Sequence, residues 1–217
     1  MLISGLAIAI IISLLLLAIT RIAVERVAHA HHMQKVSFFD RYPVRPGDIV
    51  FLGDSITDGA RWHELFPGLP VKNRGINANL TTNVLERMDN IVNGQPKAIF
   101  ILIGTNDLPW FEHRSDEQIL ETYEAILRRI KQGSPETSVF VQSILPREQS
   151  KAQRIQKLNG DLKTLATRYG YVYIDLFSHF STPEGALCPE LTNDGLHLLS
   201  IGYAIWVKIL RPYIRGL

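Results

Sequence analysis

A chain of 217 residues with 46% hydrophobic, 9% aromatic and 20% charged residues excludes a disordered tail, a coiled coil and a collagen-like fibre, and is long enough for one well-buried domain. The 23 Lys and Arg against 21 Asp and Glu leave a formal charge of +2, and with no Lys/Arg-rich block this excludes an electrostatic nucleic-acid surface. The lone cysteine, Cys188, excludes an internal disulfide and a multi-thiolate metal centre.

Residues 2–19 carry no charge. As a helix rising about 1.5 Å per residue they nearly span a hydrocarbon core of about 30 Å, so a single N-terminal membrane anchor is expected over residues 1–20, with a cleaved signal segment as the alternative because Ala28-His29-Ala30 resembles a processing site. Residues 21–46 then read as a linker and 47–217 as the folded domain. Arg21 and Arg26 would hold that domain on the cytoplasmic side. His29, His31 and His32 lack a neighbouring carboxylate cluster and read as part of a solvated linker rather than a metal tract.

Beyond the linker, Asp48 to Leu52 is a short apolar run ending at Gly53, the pattern of a buried parallel strand. Further strands are expected near Val71 to Asn73, over Lys97 to Ile103, over Ser138 to Ile144 and over Tyr171 to Asp175. Helical spacing links Val84, Leu85, Met88, Ile91 and Val92, then Ile119 to Ile130 behind a Ser115/Gln118 capping box, then Ile155 to Tyr169 with Gly170 as terminator, and finally Ser200 to Tyr213. This alternation predicts an α/β fold with a parallel sheet covered on both faces, and ligands then belong at the carboxyl ends of the strands.

At those ends the first strand runs into Gly53-Asp54-Ser55-Ile56-Thr57-Asp58-Gly59, the third into Gly104-Thr105-Asn106-Asp107, and the C-terminal part carries Asn193-Asp194-Gly195-Leu196-His197. A hydroxyl, an amide donor, an imidazole and a carboxylate three residues before it would all meet on one edge of the sheet. Each group alone has an ordinary turn or cap explanation; the set is far more specific.

On Gly53-Asp54-Ser55, Gly75 within Asn73-Arg74-Gly75-Ile76-Asn77, Gly104-Thr105-Asn106-Asp107 and Asp194-Gly195-Leu196-His197, the chain resembles the SGNH hydrolases, or GDSL esterase/lipase family, over about Asp48 to Arg211. Within it the chain looks most similar to lysophospholipase-like and platelet-activating-factor acetylhydrolase-like esterases. The resemblance implies a three-layer α/β/α, flavodoxin-like fold with a five-stranded parallel sheet, here preceded by the N-terminal hydrophobic helix. It also implies Ser55 as nucleophile, His197 as general base and then acid, Asp194 as the group orienting His197, and Ser55, Gly75 and Asn106 as oxyanion donors, with no metal or organic cofactor. Asp54 and Asp107 read as acceptors that fix their loops.

The expected activity is hydrolysis of lipid or short-to-medium acyl esters, and anchoring near a bilayer would raise the local concentration of such esters. A carbohydrate O-acetylesterase, an acyltransferase and a non-catalytic membrane-tethered binding domain are the competing readings. An anchored hydrolase would be expected on the exported side, against the bias of Arg21 and Arg26. Trp62, Leu108, Trp110 and Phe111 either wall an apolar acyl pocket or pack against the loops.

Overall fold

The computed structural model describes residues 2–108 and 114–217, and side chains at 7 and from 9 onward in the first helix. Trp110 and Phe111, two of the four expected pocket residues, and His113 lie outside the described residues.

The chain opens with α1 (Leu2–Arg41). It continues through β1 (Ile49–Gly53), α2 (Ser55–Asp58), α3 (Trp62–Leu65), β2 (Val71–Gly75), α4 (Thr81–Glu86), α5 (Asp89–Val92) and β3 (Ala98–Leu102). The second half adds α6 (Asp116–Gly133), β4 (Ser138–Gln142), α7 (Ala152–Arg168), β5 (Val172–Ile174), α8 (Phe177–Phe180) and α9 (Ser200–Arg215). All pairings are parallel and the sheet order is β2-β1-β3-β4-β5. The order reverses between β1 and β3, which makes their carboxyl ends the crevice of a doubly wound fold.

Alternation along each strand sorts the two cores. Val50 and Leu52 of β1 join Ile99, Ile101 and Val141 under α4 to α7. Ile49 and Phe51 face the other way, with Phe100 and Phe140, toward α2, α3, α8 and α9. In this second layer Phe51 stacks on Trp62 with ring centroids 3.7 Å apart, and Trp206 meets Trp62 edge-on at 5.0 Å. The polar edges of the large aromatics are satisfied, as burial requires: Trp62 donates to the Thr57 carbonyl at 3.0 Å, and Trp206 to Gln142 Oε1 at 2.6 Å. One expected helix is divided. The periodic run from Val84 to Val92 becomes α4 and α5, because Arg87 leaves helical geometry at φ −105°, ψ 15° and turns its guanidinium under the site described below.

The N-terminal expectation is corrected. Among the described residues no helix is long and apolar enough to cross a membrane. The membrane anchor, the membrane partner and the localisation drawn from it therefore fall. Residues 21–41 are not an extended linker either, since they continue α1 and its later turns pack on the domain. Phe39 is buried, with the Arg74 guanidinium 4.4 Å from its ring centroid, and Arg74 donates to the Tyr42 carbonyl at 2.6 Å. Lys35 pairs with Asp58, His31 Nε2 lies 3.5 Å from the same carboxylate, and His32 Nδ1 lies 3.0 Å from Asn79 Nδ2.

Candidate active site

β1 delivers its last residue, Gly53, into the tightest place in the crevice. A Cβ there would lie 2.2 Å from the Leu102 carbonyl and 2.3 Å from Thr57 Oγ1, so only glycine lets β1 pass β3 and turn into α2. Asp54 then accepts from Ile56 N–H at 3.0 Å and caps α2. This places Ser55 first in the helix, half-buried, with its N–H among those a helix start leaves without a helical partner.

The partner arrives from the far end of the chain because α9 is fastened to α2: Tyr203 Oη donates to the Ile56 carbonyl at 2.9 Å. Just before α9, Thr192 and Leu198 form an antiparallel bridge around a tight turn in which Gly195 takes φ +77°. Within that turn Asp194 Oδ1 accepts from Leu196 N–H at 2.9 Å and His197 N–H at 2.8 Å, and Asp194 Oδ2 lies 2.6 Å from His197 Nδ1. His197 Nε2 is 2.9 Å from Ser55 Oγ, across 142 residues of sequence. The three groups thus form one hydrogen-bonded line. Partial desolvation pushes the Asp194 carboxyl up, but the His197 ring and the two backbone N–H groups outweigh it and hold Asp194 well below the usual carboxylate range.

From the end of β3, Asn106 enters the crevice with only 6% of its surface exposed, and one of its amide hydrogens goes to the Asn79 carbonyl at 3.0 Å. Asn79 is in turn held by Arg87, whose Nε donates to Asn79 Oδ1 at 3.0 Å while Nη2 donates to the Gly53 carbonyl at 3.0 Å. Asp107 accepts from Thr81 N–H at 3.0 Å and from Thr81 Oγ1 at 2.7 Å, which ties the loop after β3 to α4. Beneath Ser55, burial pushes the Asp54 carboxyl up to about 7, against the Ile56 N–H bond that lowers it. Burial likewise lowers Arg87 to about 9.

Two expected site assignments need correction. The Gly75 N–H donates to Asn73 Oδ1 at 2.9 Å, so it is taken up at the end of β2 itself. Gly75 is required for another reason: a Cβ would sit 2.2 Å from Asp58 N, inside the packing of β2 on α2. The loop after β2 offers a different donor at Ala78, which is half-buried, has φ +60° and has no hydrogen-bond partner for its N–H among the described residues. Left-handed backbone costs an L-residue about 1 kcal/mol or more, so Ala78→Gly is expected to raise stability by about that amount and to leave ester turnover intact, as checked by urea unfolding beside steady-state rates. The second correction concerns Trp62 and Leu108, which are 1% and 0% exposed. Both are spent on packing and wall no open pocket.

Of the other histidines, His63 lies beside Glu64 on the surface, and His179 is on α8. Among the described residues no group of His, Cys, Asp and Glu is arranged to hold a metal ion.

The model of the GDSL-like lipase/acylhydrolase family matches residues 51–205, well over half of the chain. The chain belongs to the GDSL-like lipase/acylhydrolase family. Among curated proteins it is similar to the platelet-activating factor acetylhydrolase IB subunit alpha2 of Rattus norvegicus, 31% identical over 175 residues that cover 76% of this chain and 73% of the relative. The alpha1 subunit of Pongo abelii is 29% identical over 199 residues, covering 86% and 82%. A solved structure from Streptococcus pneumonia, named for platelet activating factor, superposes with a TM-score of 0.82 at 30% identity and covers 90% of this chain and 98% of its own. An acetylxylan esterase from Geobacillus stearothermophilus shares the fold at TM-score 0.63 and 20% identity, over 77% of this chain and 94% of its own. The α/β sheet described above is thus the fold of the SGNH hydrolases, and membership makes this protein a hydrolase acting on esters.

The family blocks were visible in sequence as motifs, but Asn79, Arg87 and Ala78 were not. Asn79 and Ala78 sit in the loop after the glycine that drew the attention, and Arg87 sits on a helical face that periodicity assigns to solvent or core without distinguishing a strut.

Proposed function

We propose that the protein hydrolyses carboxylic esters of lipids or other short-to-medium acyl esters through an acyl-enzyme on Ser55. The observation that carries this reading is the 2.9 Å approach of His197 Nε2 to Ser55 Oγ, backed by the 2.6 Å contact of His197 Nδ1 with Asp194.

A serine hydroxyl is a weak nucleophile until a base in hydrogen-bond reach takes its proton. With Asp194 accepting from Nδ1–H, the His197 tautomer leaves Nε2 with a lone pair facing Oγ. Attack on the ester carbonyl moves the Oγ proton to Nε2 and the carbonyl π electrons to oxygen. Asp194 stabilises the imidazolium that forms. The imidazolium then protonates the departing alcohol as the tetrahedral intermediate collapses to the acyl-enzyme. Water repeats the sequence with the acid as leaving product and restores Ser55.

The oxyanion is held by three donors. Ser55 N–H heads α2, where it has no helical partner. Ala78 N–H takes the place expected of Gly75 N–H, and Asn106 supplies the amide hydrogen that Asn79 does not use. Removing one such donor costs about 2.7 to 4 kcal/mol of barrier. The relatives' names, acetylhydrolases of a platelet-activating factor, support a lipid ester. Labelling the full chain with a fluorophosphonate should give one adduct, found by mass spectrometry on the peptide holding Ser55 and missing from Ser55→Ala. Labelling elsewhere, or none in the folded protein, would remove the nucleophile.

A further inference from the structure

We propose that α1 builds the acyl-chain subsite of this enzyme, an apolar groove formed by Ala23, Val24, Val27 and Ala28 against Asn77; the proposal rests on the Ser55 reading above.

The helix presents one face to the domain. From residue 28 on, only Ala28, His31, His32, Lys35, Val36 and Phe39 of this stretch are withdrawn from solvent, at the three-to-four residue spacing of a single helical stripe. Bonds to Asp58 and Asn79 fix that stripe against the site itself. Asp58 ends the helix that Ser55 begins, and the Asn79 carbonyl holds Asn106.

Continued toward the N-terminus, the stripe passes through Val27, Val24 and Ala23, and there the domain falls away. What remains is a cavity of about 500 Å³ bounded by Ala23, Val24, Val27, Ala28, His31 and Asn77. Four of these six side chains are apolar, and with Val24 44% and Val27 71% exposed the groove is open to solvent along the helix. The volume falls within the range of small-molecule sites. From Ala23 to His31 the groove runs about 12 Å along the helix.

The groove lies next to the loop that carries the proposed oxyanion donor. A second cavity, of about 320 Å³, shares Ala28 and Asn77 with the first and reaches Ala78 and Asn79, the proposed oxyanion donor and the residue that carries Asn106. Reaction geometry selects the occupant. The departing alcohol must lie beside His197 Nε2 to receive its proton, so the acyl group is directed away from His197, and α1 touches the site through Asp58 and Asn79 rather than through the turn that carries His197. The occupant is therefore the hydrocarbon chain of the acyl group. The family model, matching residues 51–205, does not include α1, so the subsite lies outside the part of the chain that the model matches.

The test uses the full chain and p-nitrophenyl acetate, butyrate and octanoate below their aggregation limits. Burial of a methylene is worth about fourfold at most, so in wild type a half-open groove should raise kcat/KM for octanoate over acetate by about tenfold. Val27→Asp introduces a charge into the groove and Ala23→Phe fills it with an apolar ring. Each should lower the octanoate-to-acetate ratio by about tenfold, with the far-ultraviolet dichroism of wild type. A wild-type ratio below one, or a ratio unchanged in both folded variants, overturns the groove. A change of oligomeric state in gel filtration with an unchanged ratio overturns it too, by showing that a second copy covers this face. Absence of turnover on every ester, acetate included, strikes the Ser55 reading and this proposal together, whereas the preceding outcomes leave Ser55 standing.

Discussion

Ser55→Ala will lower kcat for p-nitrophenyl esters by about 10⁶-fold, the loss expected when the nucleophile of a coupled serine-imidazole pair is removed. The residual rate will still exceed the uncatalysed one by about 10³-fold or more, because the Ser55 N–H, the Ala78 N–H and Asn106 remain in place. Stability should move little. Ser55 Oγ is half-buried and its one side-chain bond is to His197, which is itself partly open to water, so no buried group is left unpaired and the change should stay within about 1 kcal/mol. Rates from wild type and variant, with urea unfolding of both, check the two halves of the expectation. A loss of less than a hundredfold in a folded variant would show that the acyl group is taken up elsewhere.

The sheet was legible because its signal is redundant. Four of the five strand runs are apolar at consecutive positions, the run near Val71 to Asn73 being the exception, and all five appear as strands within a few residues of where the sequence puts them. Ser55 and Asn106 were legible for a related reason: a parallel sheet sends every strand end to one edge, so position in the fold follows from position after a strand, whereas Asp194 and His197 follow no strand and were carried by their spacing within the turn before α9. The loop between β2 and α4 obeyed no such rule. The glycine before it invited a role in binding, yet Gly75 is glycine because Asp58 N leaves no room for a Cβ, and the residue with left-handed backbone is an alanine, a type that gives no warning of it. Arg87 reaches the Gly53 carbonyl across 34 residues, a pairing that neither helical nor strand periodicity encodes. The N-terminal run misled for the opposite reason. Its composition was read as a membrane span, whereas what gives α1 its place is the sparse set His31, His32, Lys35 and Phe39, whose meaning lies in Asp58, Asn79 and Arg74.

Asp194→Asn should cost about 10⁴-fold in kcat, more than the loss of any single oxyanion donor. The variant keeps an oxygen for the Leu196 and His197 N–H groups, so the turn survives. What changes is the group facing His197 Nδ1, where a carboxylate oxygen at 2.6 Å is replaced by an amide nitrogen that can only donate. The ring must then carry its proton on Nε2, which donates to Ser55 Oγ instead of accepting from it, and the base is lost without any movement of the backbone. The same substitution has a pH signature. In wild type the folded Asp194 carboxyl lies below its unfolded value, so its ionised form contributes stability that is fully present above the usual carboxylate range and is lost as pH falls through the folded value. Wild type minus Asp194→Asn stability should therefore be constant from neutral pH down to about pH 5 and shrink only below it. The gap will be modest, because both side chains are about half exposed, at 45% for His197 and 47% for Asp194. Urea midpoints at pH 7, 5 and 3 separate this from a merely structural asparagine effect, which would be independent of pH. A variant that retains more than a tenth of wild-type kcat would show that His197 reaches its reactive tautomer without Asp194.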